Sequence, residues 1–159
     1  MNQRVAILPC RMRAVRIACL LAGLLGTAPA WAKTPATPLQ LPGATVVTAE
    51  KARELTSQGA VLVDARVGHE YASEHIRGAV SIPYKEHSAK HVNYDAGKDS
   101  FDLSRLPKDR KAAVIFYCNA GECWKSYKAS RAALKAGYSR VYWLRGGIPE
   151  WKEKGLPVE

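Results

Sequence analysis

Apolar positions along this chain come in short runs separated by polar, helix-forming stretches. Ala60-Val61-Leu62-Val63 and residues 112–117 (AAVIFY) are unbroken by polar side chains, as expected of strands covered on both faces. Shorter apolar runs at 45–47, at 79–82 before Pro83, and at 141–144 predict three more strands. Thr48 is a good N-cap for a helix over 49–58 closed by Gly59. A short helix fits 68–74. A longer one fits 126–136, with Ala129, Ala132, Ala133 and Ala136 inward, Tyr127 and Lys128 outward, and Gly137 as its stop. After the Gly146-Gly147 turn, residues 148–154 predict a closing helix. Residues 84–111 are mostly polar, with one amphipathic turn around 101–106, and read as a surface excursion of the kind that borders functional sites. Strands alternating with helices predict an α/β domain, an open parallel sheet with helices on both faces. Such sheets gather ligands at the carboxyl ends of their strands, and Cys118 stands at one.

The amino-terminal stretch departs from this pattern. Arg4, Arg11, Arg13 and Arg16 precede an uncharged apolar run from Ile17 to Ala30, and Ala30-Trp31-Ala32 follows. A basic start, an apolar middle and small residues at A-x-A spacing describe a secretory signal peptide. The expected cut falls after Ala32, which places the mature protein in the periplasm. The run is shorter than the ~18–20 residues that span a bilayer, so stable membrane insertion is not expected after cleavage. Residues 33–43, with three prolines and no periodicity, read as a flexible leader, and 44–159 as the single folded domain. Removing 1–32 takes four arginines and no acid from a formal net charge of +10. The remainder is moderately basic, without the clustered cations of a nucleic-acid surface. It keeps two cysteines, Cys118 and Cys123, which in an exported protein favours a disulfide.

Candidate chemistry concentrates in Cys118-Asn119-Ala120-Gly121-Glu122-Cys123-Trp124-Lys125. A thiol at a strand end, followed by a loop that enters a helix, faces backbone N–H groups and a helix N-terminus. Both stabilise an anion and lower a thiol's pKa from the ~8.5 of free cysteine. Gly121 lets the backbone curve where a side chain would obstruct it. His87 and His91 stand four apart but have no third ligand nearby, so no metal is expected. His75 is expected to hydrogen-bond within its turn, and Trp143 and Trp151 to lie in the core.

Three ordered groups of residues resemble the rhodanese family. These are Leu62-Val63-Asp64-Ala65-Arg66 with His75-Ile76-Arg77-Gly78-Ala79, then Phe116-Tyr117-Cys118 with Gly121, then Gly146-Gly147-Ile148 with Trp151 and Gly155-Leu156-Pro157. The resemblance implies a rhodanese-like fold and a sulfurtransferase. Its cysteine would take sulfane sulfur from a small-molecule donor such as thiosulfate and pass it to a thiol or cyanide acceptor. The nucleophile falls on Cys118. The substrate cradle falls on Asn119, Ala120, Gly121, Glu122, Cys123, Trp124 and Lys125, with Arg66 adding positive potential and Asp64 in support. No metal or organic cofactor is implied. Against the family pattern, the loop is about two residues longer when counted back from Gly137, and Lys125 stands in place of Arg. Cys123 is a candidate resolving thiol. Two other readings remain open. One is a periplasmic thiol–disulfide redox protein using Cys118 and Cys123, served by a thioredoxin-like reductant. The other is a non-catalytic rhodanese binding module.

Overall fold

Strand β4 (Ala113–Tyr117) is buried along its whole length and forms the middle of the sheet. The structure is a computed structural model and describes residues 35–159; the signal peptide expected over 1–32 lies outside them. Around β4 stand β1 (Ala44–Val46), β2 (Val61–Asp64), β3 (Val80–Ser81) and β5 (Arg140–Leu144), in the order β1-β5-β4-β2-β3. Every pairing is parallel. The helices are α1 (Ala49–Ser57), α2 (Gly68–Ser73), α3 (Trp124–Lys135) and α4 (Gly147–Glu153).

The two-residue period of a strand divides β4 between two cores. Ile115 and Tyr117 pack with Ala52 and Leu55 of α1 and with Ile148 and Trp151 of α4. Val114 and Phe116 pack with Ala129 and Ala133 of α3 on the other face. Full burial of a side chain such as Val114, Ile115 or Phe116 stabilises the fold by about 1.5–3 kcal/mol. The expected Thr48 cap is present, its side chain accepting from the Lys51 amide at 3.3 Å. A second cap comes from far along the chain: Glu150 accepts from the Ala49 amide at 2.8 Å.

Three expectations are corrected. Helix α3 begins at Trp124, two residues early, because Cys123 adopts the extended backbone of an N-cap. Tyr127 and Lys128 are buried rather than outward. The excursion of 84–111 folds back over that side of α3, and the Lys128 ammonium lies 2.8 Å from both Glu86 and the Ser88 hydroxyl. Asp99 ties the excursion together by accepting from the Tyr84 hydroxyl, the Ser88 hydroxyl and the His87 and Ser88 amides at 2.6–2.9 Å. Burial opposes its ionisation, but the Ser88 and His87 hydrogen bonds prevail and hold its pKa well below the ordinary aspartate value. Burial, reinforced by the hydrogen bond to Asp99, raises the Tyr84 pKa.

The third correction concerns the segment read as a flexible leader. Residues 35–43 lie on the domain. Leu41 is buried with Trp124, Tyr127 and Trp143, and Thr37 is also buried. Extended, proline-rich backbone leaves its carbonyls without internal partners. Those of Pro35, Thr37 and Pro38 accept from Trp124 and Arg145 at 2.7–2.9 Å.

Candidate active site

Strand β4 delivers Cys118 one residue past its last paired position, and α3 starts six residues later. The intervening loop is tightly specified. Ala120 holds a left-handed φ of +63°, which costs a residue with a Cβ about 1–2 kcal/mol. Several contacts enforce that conformation. The Cys123 amide donates to the Ala120 carbonyl at 3.1 Å, and the Ile148 amide to the Cys118 carbonyl at 3.0 Å. Thr37 donates to the Gly121 carbonyl through both its amide and its hydroxyl at 2.7 Å.

Two glycines make the loop possible. Gly147, at the start of α4, has φ +63°. A Cβ there would collide with the Cys118 carbonyl and lie 2.6 Å from the Ala120 nitrogen. At Gly121 a Cβ would lie 2.8 Å from both terminal nitrogens of Arg145 and 2.9 Å from its central carbon. Such equal distances mean that the guanidinium lies face-on to Gly121. Arg145 was not singled out in the sequence, where it reads as one cation after a strand. It binds the Thr37 and Pro38 carbonyls, so strap, loop and the end of β5 form one unit.

Cys118 and Cys123 are joined in a disulfide with their Cα atoms 6.1 Å apart. Cys118 is only 1% exposed, whereas Cys123 is half-buried. Among the described residues, no hydrogen-bond acceptor takes the backbone amides of Asn119, Ala120, Gly121 or Glu122. The first turn of α3 adds the unpaired N–H groups of any helix start. Main-chain N–H groups of this kind are what an anion binds.

The other expected site residues divide into two groups. Asn119 and Lys125 stand on the loop and the first turn of α3, Lys125 half-buried. The Asn119 side-chain amide donates to Glu70 of α2 at 2.5 Å, which pins the loop's near edge. Trp124 is buried, edge-on to Tyr127, with its indole N–H on Pro35. Asp64 and Arg66, in contrast, face each other beneath the site. The guanidinium binds both Asp64 oxygens at 2.6–3.0 Å and the Glu74 carbonyl at 2.7 Å. Burial works against the Arg66 charge, but the hydrogen bonds and charge of Asp64 outweigh it and raise the pKa. Asp64 also accepts from the Tyr117 hydroxyl at 2.6 Å, so the pair anchors the residue immediately before Cys118. Burial first, then the charge of Asp64, raises the Tyr117 pKa and keeps it a donor. His75 bonds within its turn, to the Tyr71 carbonyl at 2.9 Å, and Trp143 and Trp151 are core residues.

A reduced cysteine between a strand end and a helix start is a candidate nucleophile, since main-chain N–H groups without partners stabilise a thiolate. A family model described as a rhodanese-like domain matches residues 48–154. Over 102 residues the chain is 33% identical to a protein of Allochromatium vinosum named sulfurtransferase, covering 64% of this chain and 80% of that one. It is 29% identical over 116 residues to thiosulfate sulfurtransferase GlpE of Actinobacillus pleuropneumoniae, covering 72% and 93%. Among solved structures, the BH2092 protein of Bacillus halodurans is similar with a TM-score of 0.52 and 27% identity over 73% of this chain and 75% of that one.

Proposed function

Since the chain belongs to the rhodanese-like domain family, we propose that it is a sulfurtransferase carrying sulfane sulfur as a persulfide on Cys118. The observation that carries this reading is the placement of Cys118 at the carboxyl end of the central strand, directly before a loop whose backbone amides have no acceptor among the described residues. In the reduced protein the Cys118 thiolate attacks the outer sulfur of a donor such as thiosulfate, the substrate in the name of the Actinobacillus relative. A bond forms between Cys118 and that sulfur, the sulfur–sulfur bond of the donor breaks, and sulfite leaves with the electron pair. The persulfide anion then occupies the main-chain cradle, with Lys125 on the first turn of α3 adding positive potential. A thiol or cyanide acceptor removes the outer sulfur and restores the thiolate, so one difficult transfer becomes two easier ones.

Intact mass spectrometry of the reduced protein after thiosulfate exposure tests this. Cys123→Ser, in which Cys118 is the one thiol left in the loop, is expected to gain one sulfur atom and Cys118→Ser none; equal gain in both proteins refutes Cys118 as the carrier.

The amino-terminal pattern of Arg4 to Arg16, the apolar run and Ala30-Trp31-Ala32 supports export to the periplasm, an oxidising compartment in which disulfides persist. The disulfide itself favours a second reading, dithiol–disulfide exchange with a thioredoxin-like reductant. Thiocyanate formation from thiosulfate and cyanide distinguishes the two.

A further inference from the structure

The mechanism above uses one cysteine, yet the loop holds two, and they are bonded to each other. We propose that Cys123 resolves the Cys118 persulfide, so that the protein reduces sulfane sulfur to sulfide and leaves the Cys118–Cys123 disulfide. The inference rests on the sulfurtransferase reading and deepens it, because it makes the second thiol of the loop the acceptor.

The chemistry balances in three steps. Cys118 first takes the outer sulfur of thiosulfate and sulfite departs. The Cys123 thiolate next attacks the Cys118 sulfur. A disulfide bond forms as the bond between Cys118 and the carried sulfur breaks, and that sulfur leaves with the electron pair as hydrosulfide. The proton given up by the Cys123 thiol balances the one that hydrosulfide keeps. Two thiols have been oxidised to a disulfide, and the carried sulfur has been reduced by two electrons. An external dithiol then reduces the disulfide by exchange and is itself oxidised.

Three observations carry this. First, the sulfur that Cys123 reaches is the Cys118 sulfur itself. Attack there expels sulfide, whereas attack on the outer sulfur would only move the persulfide along the loop. Second, the loop is held in its closed shape by contacts that do not involve either side chain. These are the Ala120 turn closed by the Cys123 amide, the two Thr37 bonds to Gly121, and the Arg145 guanidinium on the face of Gly121. The two sulfurs therefore meet without ordering cost at each turnover, which favours the internal attack over an encounter with a free acceptor. Third, the two cysteines differ as exchange chemistry requires. Cys123 caps the twelve-residue α3 and is half-buried, while Cys118 is enclosed. An incoming dithiol meets the Cys123 sulfur, and the departing thiolate is Cys118, the one stabilised by the main-chain cradle. A stabilised thiolate is the better leaving group.

The test uses the full chain, reduced and freed of reductant, then given one equivalent of thiosulfate without cyanide or added thiol. Sulfide is measured, and the tryptic peptide of residues 112–125, which contains both cysteines and no other, is weighed after acid quench. In the parent, sulfide is expected to approach one per chain and the peptide to lose two hydrogens. In Cys123→Ser, whose serine remains a good helix cap, the peptide is expected to gain one sulfur atom and keep it, with sulfide release lost. A parent that holds the added sulfur and releases none, or a Cys123→Ser protein that releases as much sulfide as the parent, overturns this inference and leaves the sulfurtransferase reading standing. No sulfur gain and no sulfide in either protein overturns both.

Discussion

Replacing Gly147 by alanine isolates the contact that shapes the floor of the cysteine loop. Two costs are involved. The backbone there has φ +63°, and an alanine in that region costs about 1–2 kcal/mol. The added Cβ would also meet the Cys118 carbonyl and sit 2.6 Å from the Ala120 nitrogen. Those are backbone atoms and cannot swing aside, so an overpacking cost of about 1–3 kcal/mol is added. Gly155 supplies the control. Its φ of +64° is nearly the same, but a Cβ there meets nothing within 4 Å. Gly155→Ala should therefore show the conformational cost alone, and Gly147→Ala that cost plus the collision, about 2–5 kcal/mol in all. Urea unfolding of both variants measures the difference. The same collision displaces Cys118 and Ala120, and an ångström-scale displacement of reacting groups can slow a reaction about 100-fold. Persulfide formation from thiosulfate should fall steeply in Gly147→Ala and stay near the parent rate in Gly155→Ala. Equal stability losses in the two variants, or an undiminished loading rate in Gly147→Ala, would refute the view that the α4 start sets the loop.

Lys128→Met is expected to destabilise the domain by about 3–5 kcal/mol, because it leaves the enclosed Glu86 and Asp99 carboxylates without their cation; urea unfolding reads the loss, and adding Glu86→Gln should recover part of it. Asp99 has a folded-state pKa below its unfolded value, so its contribution is fully present above the unfolded pKa of ~3.9 and is lost as pH falls through the folded value. The acid limb of the stability curve should therefore be shallower in Asp99→Asn, and an unchanged limb would count against the hydrogen-bonded carboxylate as its source.

The legible part of this protein was that in which each residue's local environment decides its role. The unbroken apolar run of β4 announces a strand covered on both sides, and Thr48 and Gly59 mark the ends of α1 through backbone chemistry alone. A cysteine between a strand and a helix is a candidate anion site for equally local reasons, as is a glycine in the loop after it. The alanines of α3 suggested one inner face, and there the reading went astray at Tyr127 and Lys128. A lysine in a helix looks solvated until a distant segment brings Glu86, Ser88 and Asp99 over it. Arg145 and the strap of residues 35–43 were missed for a similar reason. Their partners, Gly121, Trp124 and the carbonyls of Thr37 and Pro38, stand far away along the chain.

By itself, then, the order of residues determined the parallel α/β architecture and the position of the candidate thiol, because periodicity, caps and strand ends are set over a few neighbouring positions. Only the folded chain decided how that thiol is enclosed: which carbonyl Gly147 must clear, which strap holds Gly121, and which cation lies under the excursion. Those features depend on groups brought together across the sheet, and the energy of a long-range contact exists only once both partners have arrived.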